Sequence, residues 1–140
     1  MINVKSTALY NEILKELNYP FGNIFIFKGF IVAEINEGVN YTWENHARLV
    51  TEDVCCYLGT DGSDLIYISN RIRSYSVDAS GWSTFYNKKF ALKGYYIVSN
   101  NKLGKLAVKI ENLFLKIKIK HFNDLFIAIN FVKTGMTEIA

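Results

Sequence analysis

Cysteine, proline and long apolar runs are all scarce in this chain: of its 140 residues, two are cysteine and one is proline. The cysteines are adjacent, Cys55-Cys56, too close for an ordinary unstrained disulfide and wrongly spaced for a zinc or redox pair. The longest apolar run, Leu125 to Val132, contains Asn130 and falls far short of the ~18–20 residues that span a bilayer, so no transmembrane helix is expected. Met1 to Lys5 has neither a basic stretch leading into an apolar one nor a small-residue cleavage site, so no secretory signal is expected and a cytoplasmic location is. Glycine-rich phosphate loops, HExxH pairs and GxSxG elbows are missing as well. His46 and His121 lack companions at ligand spacing and read as packing or surface residues. Glu34 and Glu37 could form an acid–base pair, but nothing nearby supplies a partner for them. No metal site or cofactor is therefore expected, and catalysis would need an unconventional site, with Arg71 and Arg73 activating an anion beside Glu34.

What the chain does have is apolar bulk. With 50% hydrophobic, 15% aromatic and 21% charged residues, it can offset its conformational entropy by burial, and its length suits one domain over 1–140. The net charge of +3 hides an asymmetry. Residues 88–120 hold nine lysines and a single acid, Glu111, whereas residues 1–87 hold six basic and ten acidic groups.

Apolar periodicity gives the order of elements. Leu9, Tyr10, Ile13, Leu14 and Leu17 recur at helical spacing after Ser6, predicting a first helix over 7–17. Ile24–Phe27 and Phe30–Ile35 flank Lys28-Gly29 as a hairpin. A helix is expected from the cap Thr42 to Gly59, then a strand Leu65–Ile68, and then a helix presenting Trp82, Phe85, Tyr86 and Phe90 after a cap at Asp78 or Ser80. A strand Leu92–Val98 follows. The next helix, capped by Asn100 or Asn101, has Leu103, Leu106, Ala107, Ile110 and Leu113 on an inward side and Lys102, Lys105 and Lys109 on a solvated one. Leu115, Ile117 and Ile119 alternate with Lys116, Lys118 and Lys120 as in a half-exposed strand, and a helix over Asn123–Val132 closes the series. Repeated strand–helix alternation after residue 42 implies right-handed crossovers and an α/β fold with a mixed, mostly parallel five-stranded sheet covered by helices.

In such sheets ligands meet the loops beyond the carboxyl ends of the parallel strands, and the most polar of these loops follows Ile68. Asn70, Arg71, Arg73, Ser74, Tyr75, Ser76 and Asp78 make it a candidate surface for a partner or a small anion, just before a helix N-terminus. The same residues also fit a plainer role, with Asp78 and Ser80 capping the helix and the arginines pairing surface carboxylates. Aromatics close by in sequence, namely Trp82, Phe85, Tyr86, Tyr95 and Tyr96, suit either a core or a lipid or small-ligand pocket. The lysine stripe could attract nucleic acid or an anionic membrane surface, or could simply protect a sheet edge. Without an arginine-rich cluster or an RNA-binding aromatic signature, nucleic acid is disfavoured.

The element order, the segment Asp78-Ala79-Ser80-Gly81 opening a helix after a parallel strand, and the closing helix after Phe122-Asn123-Asp124 together resemble the STAS, or SpoIIAA-like, family. The likeness covers about residues 23–132, with the helix over 7–17 as an addition expected to pack on the sheet edge or mediate a homodimer. It implies a non-catalytic regulatory module that binds a protein partner, with Ser80 as the phosphoacceptor. The longer connection over 69–77 and Trp82 in place of a small aliphatic residue are closer to the short stand-alone bacterial branch of that family.

Overall fold

The computed structural model describes residues 2–100 and 102–135, with Lys102 and Leu103 described through their backbone alone. Asn101 as a helix cap, and Lys102 and Leu103 as members of a helix face, lie outside the described residues.

A 3-10 turn, Ala8–Glu12, leads into β1 (Lys15–Tyr19), β2 (Gly22–Phe27) and β3 (Phe30–Ile35), a three-stranded antiparallel meander. After β4 (Asn40–Tyr41), a π turn over Trp43–Ala47 runs into α1 (Arg48–Leu58). Then come β5 (Ile66–Asn70), β6 (Ser76–Val77), α2 (Gly81–Asn87), β7 (Gly94–Val98), α3 (Lys102–Glu111), β8 (Lys120–Phe122) and α4 (Leu125–Thr134). The sheet order is β1-β2-β3-β5-β7-β8, parallel from β3 onward, so each crossover adds the next strand at the same edge. Among the described residues no helix is long and apolar enough to cross a membrane.

Strand alternation divides the core between the two faces of the sheet. Phe25, Phe27, Phe30, Val32, Ile68 and Tyr96 pack under α4 and the N-terminal segment. On the other face Ile24, Ile31 and Ala33 pack against Val50 and Val54 of α1, while Tyr95 and Ile97 meet Trp82 of α2 and Val108 of α3.

The sheet has six strands where five were expected, because Lys15–Tyr19 is a strand and the helix expected over 7–17 shortens to the 3-10 turn Ala8–Glu12. Its expected stripe is split between the faces: Leu9 and Ile13 join the α4 side and Leu17 the α1 side. One helix on one face cannot serve both, so the 3-10 turn and Ile13 cover the α4 side while β1 turns Leu17 and Tyr19 to the α1 side, and β1 also supplies partners for the backbone groups of β2 that would otherwise line an open edge. Gly22 permits the tight return, since a Cβ there would stand 2.5 Å from the Glu34 carbonyl oxygen. At the opposite edge the expected strand over 115–120 is shorter and later, Lys120–Phe122. Its alternation is nonetheless real: Leu115, Ile117 and Ile119 pack inward while Lys116, Lys118 and Lys120 are exposed.

The inward side of α3 also differs from expectation. Gly104, Val108 and Glu111 face the sheet, while Leu106, Ile110 and Leu113 are exposed. Two contacts set this facing. A Cβ on Gly104 would collide with the Ser99 side chain, so the helix backbone lies close against the strand end there. Glu111 is held by three polar groups beneath the helix.

Candidate functional site

Buried polar residues gather where the parallel strands end: Glu34, Ser69, Asn70 and Ser99, joined by Glu111 from α3. Because alternate residues point to opposite faces, they form two clusters. Asn70 and Glu34 share the α4 side, where Glu34 Oε2 accepts from Asn70 Nδ2 and from the Val4 N–H, each at 2.9 Å. Asn70 also donates to the Ile2 carbonyl at 3.1 Å, so the two residues tie the N-terminal segment across the strand ends. Burial pushes the Glu34 carboxyl above its usual range, with the Val4 and Asn70 donors opposing that rise.

On the helix-covered face, Arg71 follows β5 directly and extends its ladder by donating its backbone N–H to the Val98 carbonyl at 2.9 Å. Its side chain, 9% exposed, pairs with Glu111, 2% exposed, at 2.7 Å. Arg71 Nη2 also donates to the Tyr95 hydroxyl at 2.9 Å and Nε to Ser69 Oγ at 3.0 Å, while Ser69 Oγ and the Tyr75 hydroxyl lie 2.7 Å apart. The second Glu111 oxygen accepts from the Tyr95 hydroxyl at 2.8 Å and from Trp82 Nε1 at 3.3 Å. Burial disfavours the guanidinium charge, but Tyr75, Tyr95 and Glu111 more than offset this and hold Arg71 firmly protonated. The pair is thus desolvated yet hydrogen-bonded, the condition under which a buried ion pair persists.

Above this network lies a cleft of about 570 Å³, counting its open mouth, between the start of α1 and the start of α2. Seven of its fourteen lining residues are aromatic: Tyr41, Trp43, Tyr67, Tyr75, Trp82, Phe85 and Tyr95. Their rings brace one another edge to face, with Tyr67 and Tyr95 centroids 5.2 Å apart at 77° and Trp82 and Tyr95 4.9 Å apart at 61°. Burial pushes the Tyr41, Tyr67 and Tyr95 hydroxyls up, so they stay protonated and serve as hydrogen-bonding groups. Among the described residues, Asp78 is the one charged side chain in the lining.

Local pairing explains why such distant segments meet. The loop over 71–78 zips onto residues 38–41: Gly38 donates to Ser74, Ser76 to Val39 and Asp78 to Tyr41 through their backbones, at 2.9, 3.0 and 2.9 Å. The short parallel pair β4–β6 results, with Ser76 Oγ donating to Asn40 Oδ1 at 2.9 Å. Gly81 then lets α2 begin against Trp43, whose Cβ would be 3.3 Å from a Cβ at that position.

The candidate residues named from sequence are therefore divided. Tyr75 and Asp78 line the cleft, Arg71 lies in the network beside it, and Asn70 faces the opposite side of the sheet. Arg73 and Ser74 are exposed, and Ser76 serves the β4–β6 pair. Ser80 is exposed, and its side chain makes no capping bond; instead its Oγ and backbone N donate to Asp78 Oδ1 at 2.7 and 3.2 Å. Of the aromatics, Trp82, Phe85 and Tyr95 line the cleft, Tyr86 packs beside Lys116, and Tyr96 lies on the α4 face. Tyr41, Trp43 and Tyr67 also line the cleft, and no local pattern marks them, because Trp43 falls within the expected helix over 42–59 and Tyr67 within the expected strand Leu65–Ile68.

His46 is a packing residue, its Nδ1 accepting from the Thr42 N–H at 2.9 Å and its ring 4.8 Å from that of Phe21. Burial, with Asp61 and Asp64 nearby, pushes the Cys55 thiol up to about 11, which makes it a poor nucleophile near neutrality. Among the described residues, no group of three or more His, Cys, Asp or Glu converges as a metal ion would require. Compared with known proteins, the chain matches no family model, no curated protein and no solved structure.

Proposed function

We propose that the protein is a non-catalytic regulatory binding module of STAS, or SpoIIAA-like, type, and that its aromatic cleft takes a small, largely apolar ligand. The observation that carries this reading is a half-aromatic cleft whose rings are braced by the hydrogen-bonded Arg71–Glu111–Tyr95 network, a pre-formed site. The one acid among the described lining residues, Asp78, already accepts two hydrogen bonds from Ser80, which leaves the cleft mainly a surface of rings. In favour of the family reading, consecutive parallel strands follow an antiparallel meander, and Asp78-Ala79-Ser80-Gly81 opens α2 after the short parallel strand β6.

Both tryptophans of the chain, Trp43 and Trp82, line the cleft, so intrinsic fluorescence reports directly on its occupancy. Titration with a library of aromatic fragments is expected to shift that emission and raise the melting temperature, and Tyr67→Ala is expected to abolish both effects. If no fragment moves either signal, and protein purified gently from its native host shows no bound mass, the cleft is not a ligand site.

Ser80 supports a second reading, a switch for a protein partner. Its hydroxyl is exposed, and a phosphate placed there would stand against the Asp78 carboxylate at the cleft mouth, breaking the present hydrogen bond and adding charge to that surface. Ser80→Asp is expected to weaken an identified partner complex. Equal affinity for the Asp variant, the phosphorylated protein and the unmodified protein would exclude the switch.

A further inference from the structure

We infer that α3 and the segment after it form a docking surface for an anionic lipid membrane. This surface is separate from the cleft and does not depend on the ligand reading. It follows from the facing of α3. The close approach at Gly104 and the Glu111 network turn the helix so that its apolar stripe points away from the core. Leu106, Ile110, Leu113 and Phe114 are exposed, Leu113 to 80%, in one short stretch of sequence. Large apolar side chains grouped this way on a soluble surface mark an interaction site.

The charge around the stripe selects the occupant. Lys105, Lys109, Lys116 and Lys118 are exposed along the same segment. Glu111 is the one acid within residues 88–120, and it is buried and neutralised by Arg71, so no exposed carboxylate of this segment offsets the lysines. The end of α2, with exposed Lys88 and Lys89, adjoins it, because the Tyr86 hydroxyl accepts from the Lys116 backbone at 3.1 Å and the Lys116 ammonium lies 4.6 Å from the Tyr86 ring centroid. An apolar stripe rimmed by lysines complements the interface of an anionic bilayer: leucine and phenylalanine side chains enter the acyl boundary while ammonium groups remain among the headgroups. Self-association through this face would set lysines against lysines. A nucleic acid would satisfy the lysines but leave the leucines uncovered.

Sedimentation of the full chain with mixed phosphatidylserine–phosphatidylcholine vesicles, and in parallel with pure phosphatidylcholine vesicles, tests the inference. Binding is expected to the mixed vesicles only. It should be lost as salt rises from about 0.1 M to about 1 M and the screening length shrinks from roughly 10 to 3 Å. Leu113→Ser should weaken it about tenfold, and Lys109→Glu by a similar factor or more. Both positions are exposed, and unchanged thermal melts confirm that the variants are folded. Absence of binding to either vesicle overturns the inference, as does equal, salt-insensitive binding to both. A concentration-dependent dimer abolished by Leu113→Ser, without vesicle binding, would assign the face to a second copy of the chain. Salt-dependent binding of an oligonucleotide that needs Lys109 but tolerates Leu113→Ser, again without vesicle binding, would assign it to nucleic acid.

Discussion

Arg71→Met is expected to cost about 3 to 5 kcal/mol of folding stability, because Glu111 would remain buried without its counter-ion. Adding Glu111→Leu should restore only part of this loss, since the Tyr95 hydroxyl and Trp82 indole would still lack their acceptor. Urea unfolding of the single and double variants measures both; additive losses would show that the two charges do not act as a pair. Glu34 makes a prediction of opposite character. Its carboxyl is raised from an ordinary value of 4.5, so the folded chain holds the proton more tightly than the unfolded chain does. Its contribution is therefore fully present below about 4.5 and is lost as pH rises through the raised value. Glu34→Gln keeps an acceptor for Val4 and Asn70 and has no proton to lose, and its amide can offer a donor to Asn70 Oδ1, which is buried without a partner among the described residues. Thermal melts from pH 4.5 toward neutrality should fall less steeply for this variant; identical slopes would show that Glu34 is not the responsible group. Neither role is legible in sequence. Arg71 reads as a surface anion binder because its counter-ion is 40 residues away, and an isolated Glu111 in a lysine-rich stretch gives no sign of burial.

At the level of elements, local pattern succeeds where tertiary contacts agree with it. The β2–β3 hairpin, α1 ending at Gly59, β5, β7 and the last helix all stand within a few residues of where periodicity and caps place them. Besides the last strand, which is shorter and later than its alternation suggests, two elements depart, each for its own reason. Residues 7–17 carry a helical stripe, yet its last residues pair with the edge of β2, Leu9 and Ile13 pack on one face and Leu17 on the other, and Tyr10 and Leu14 are exposed. α3 is a helix as expected, but glycine proximity and a buried carboxylate decide its rotation, and neither registers on a hydrophobicity scale. The β4–β6 pair, two residues long in each strand, carries no pattern at all, and it is what assembles the cleft. Turns can be tested by size alone. Gly62 has φ +96° and a Cβ there would strike the Ala91 carbonyl oxygen, whereas Gly29, at φ +84°, faces open space. Gly62→Ala is expected to cost more than the roughly 1 to 3 kcal/mol of left-handed strain alone. Gly29→Ala should stay within that range. Equal losses in denaturant midpoint would mean that the Ala91 contact relaxes freely.

Across the whole molecule, protection should follow sheet position. β2, β3, β5 and β7 each have neighbours on both sides, while β1 and β8 are edges. Amide hydrogen exchange is expected to be slowest in the four inner strands and to begin at the two edges. A β1 as protected as β3 would indicate that its edge is covered by another chain. The overall class, helices on a mainly parallel sheet, was readable from alternation alone, because crossover rules leave few other solutions. The site was readable only as a neighbourhood, the loop after β5, since its walls come from four separate stretches of chain.

The sequential strand order also bears on synthesis. Chain leaving the ribosome meets its partners in the order in which they were made: the meander first, then one strand and one helix at a time onto the same growing edge. α4, however, is made after every strand it covers, and it seals the face that carries Phe25, Phe27 and Phe30. Until residues 125–134 have emerged, that face is open to chaperones and to other nascent chains. A message truncated before this point would yield a sheet that is nearly complete in its pairing yet marked for removal by its exposed phenylalanines.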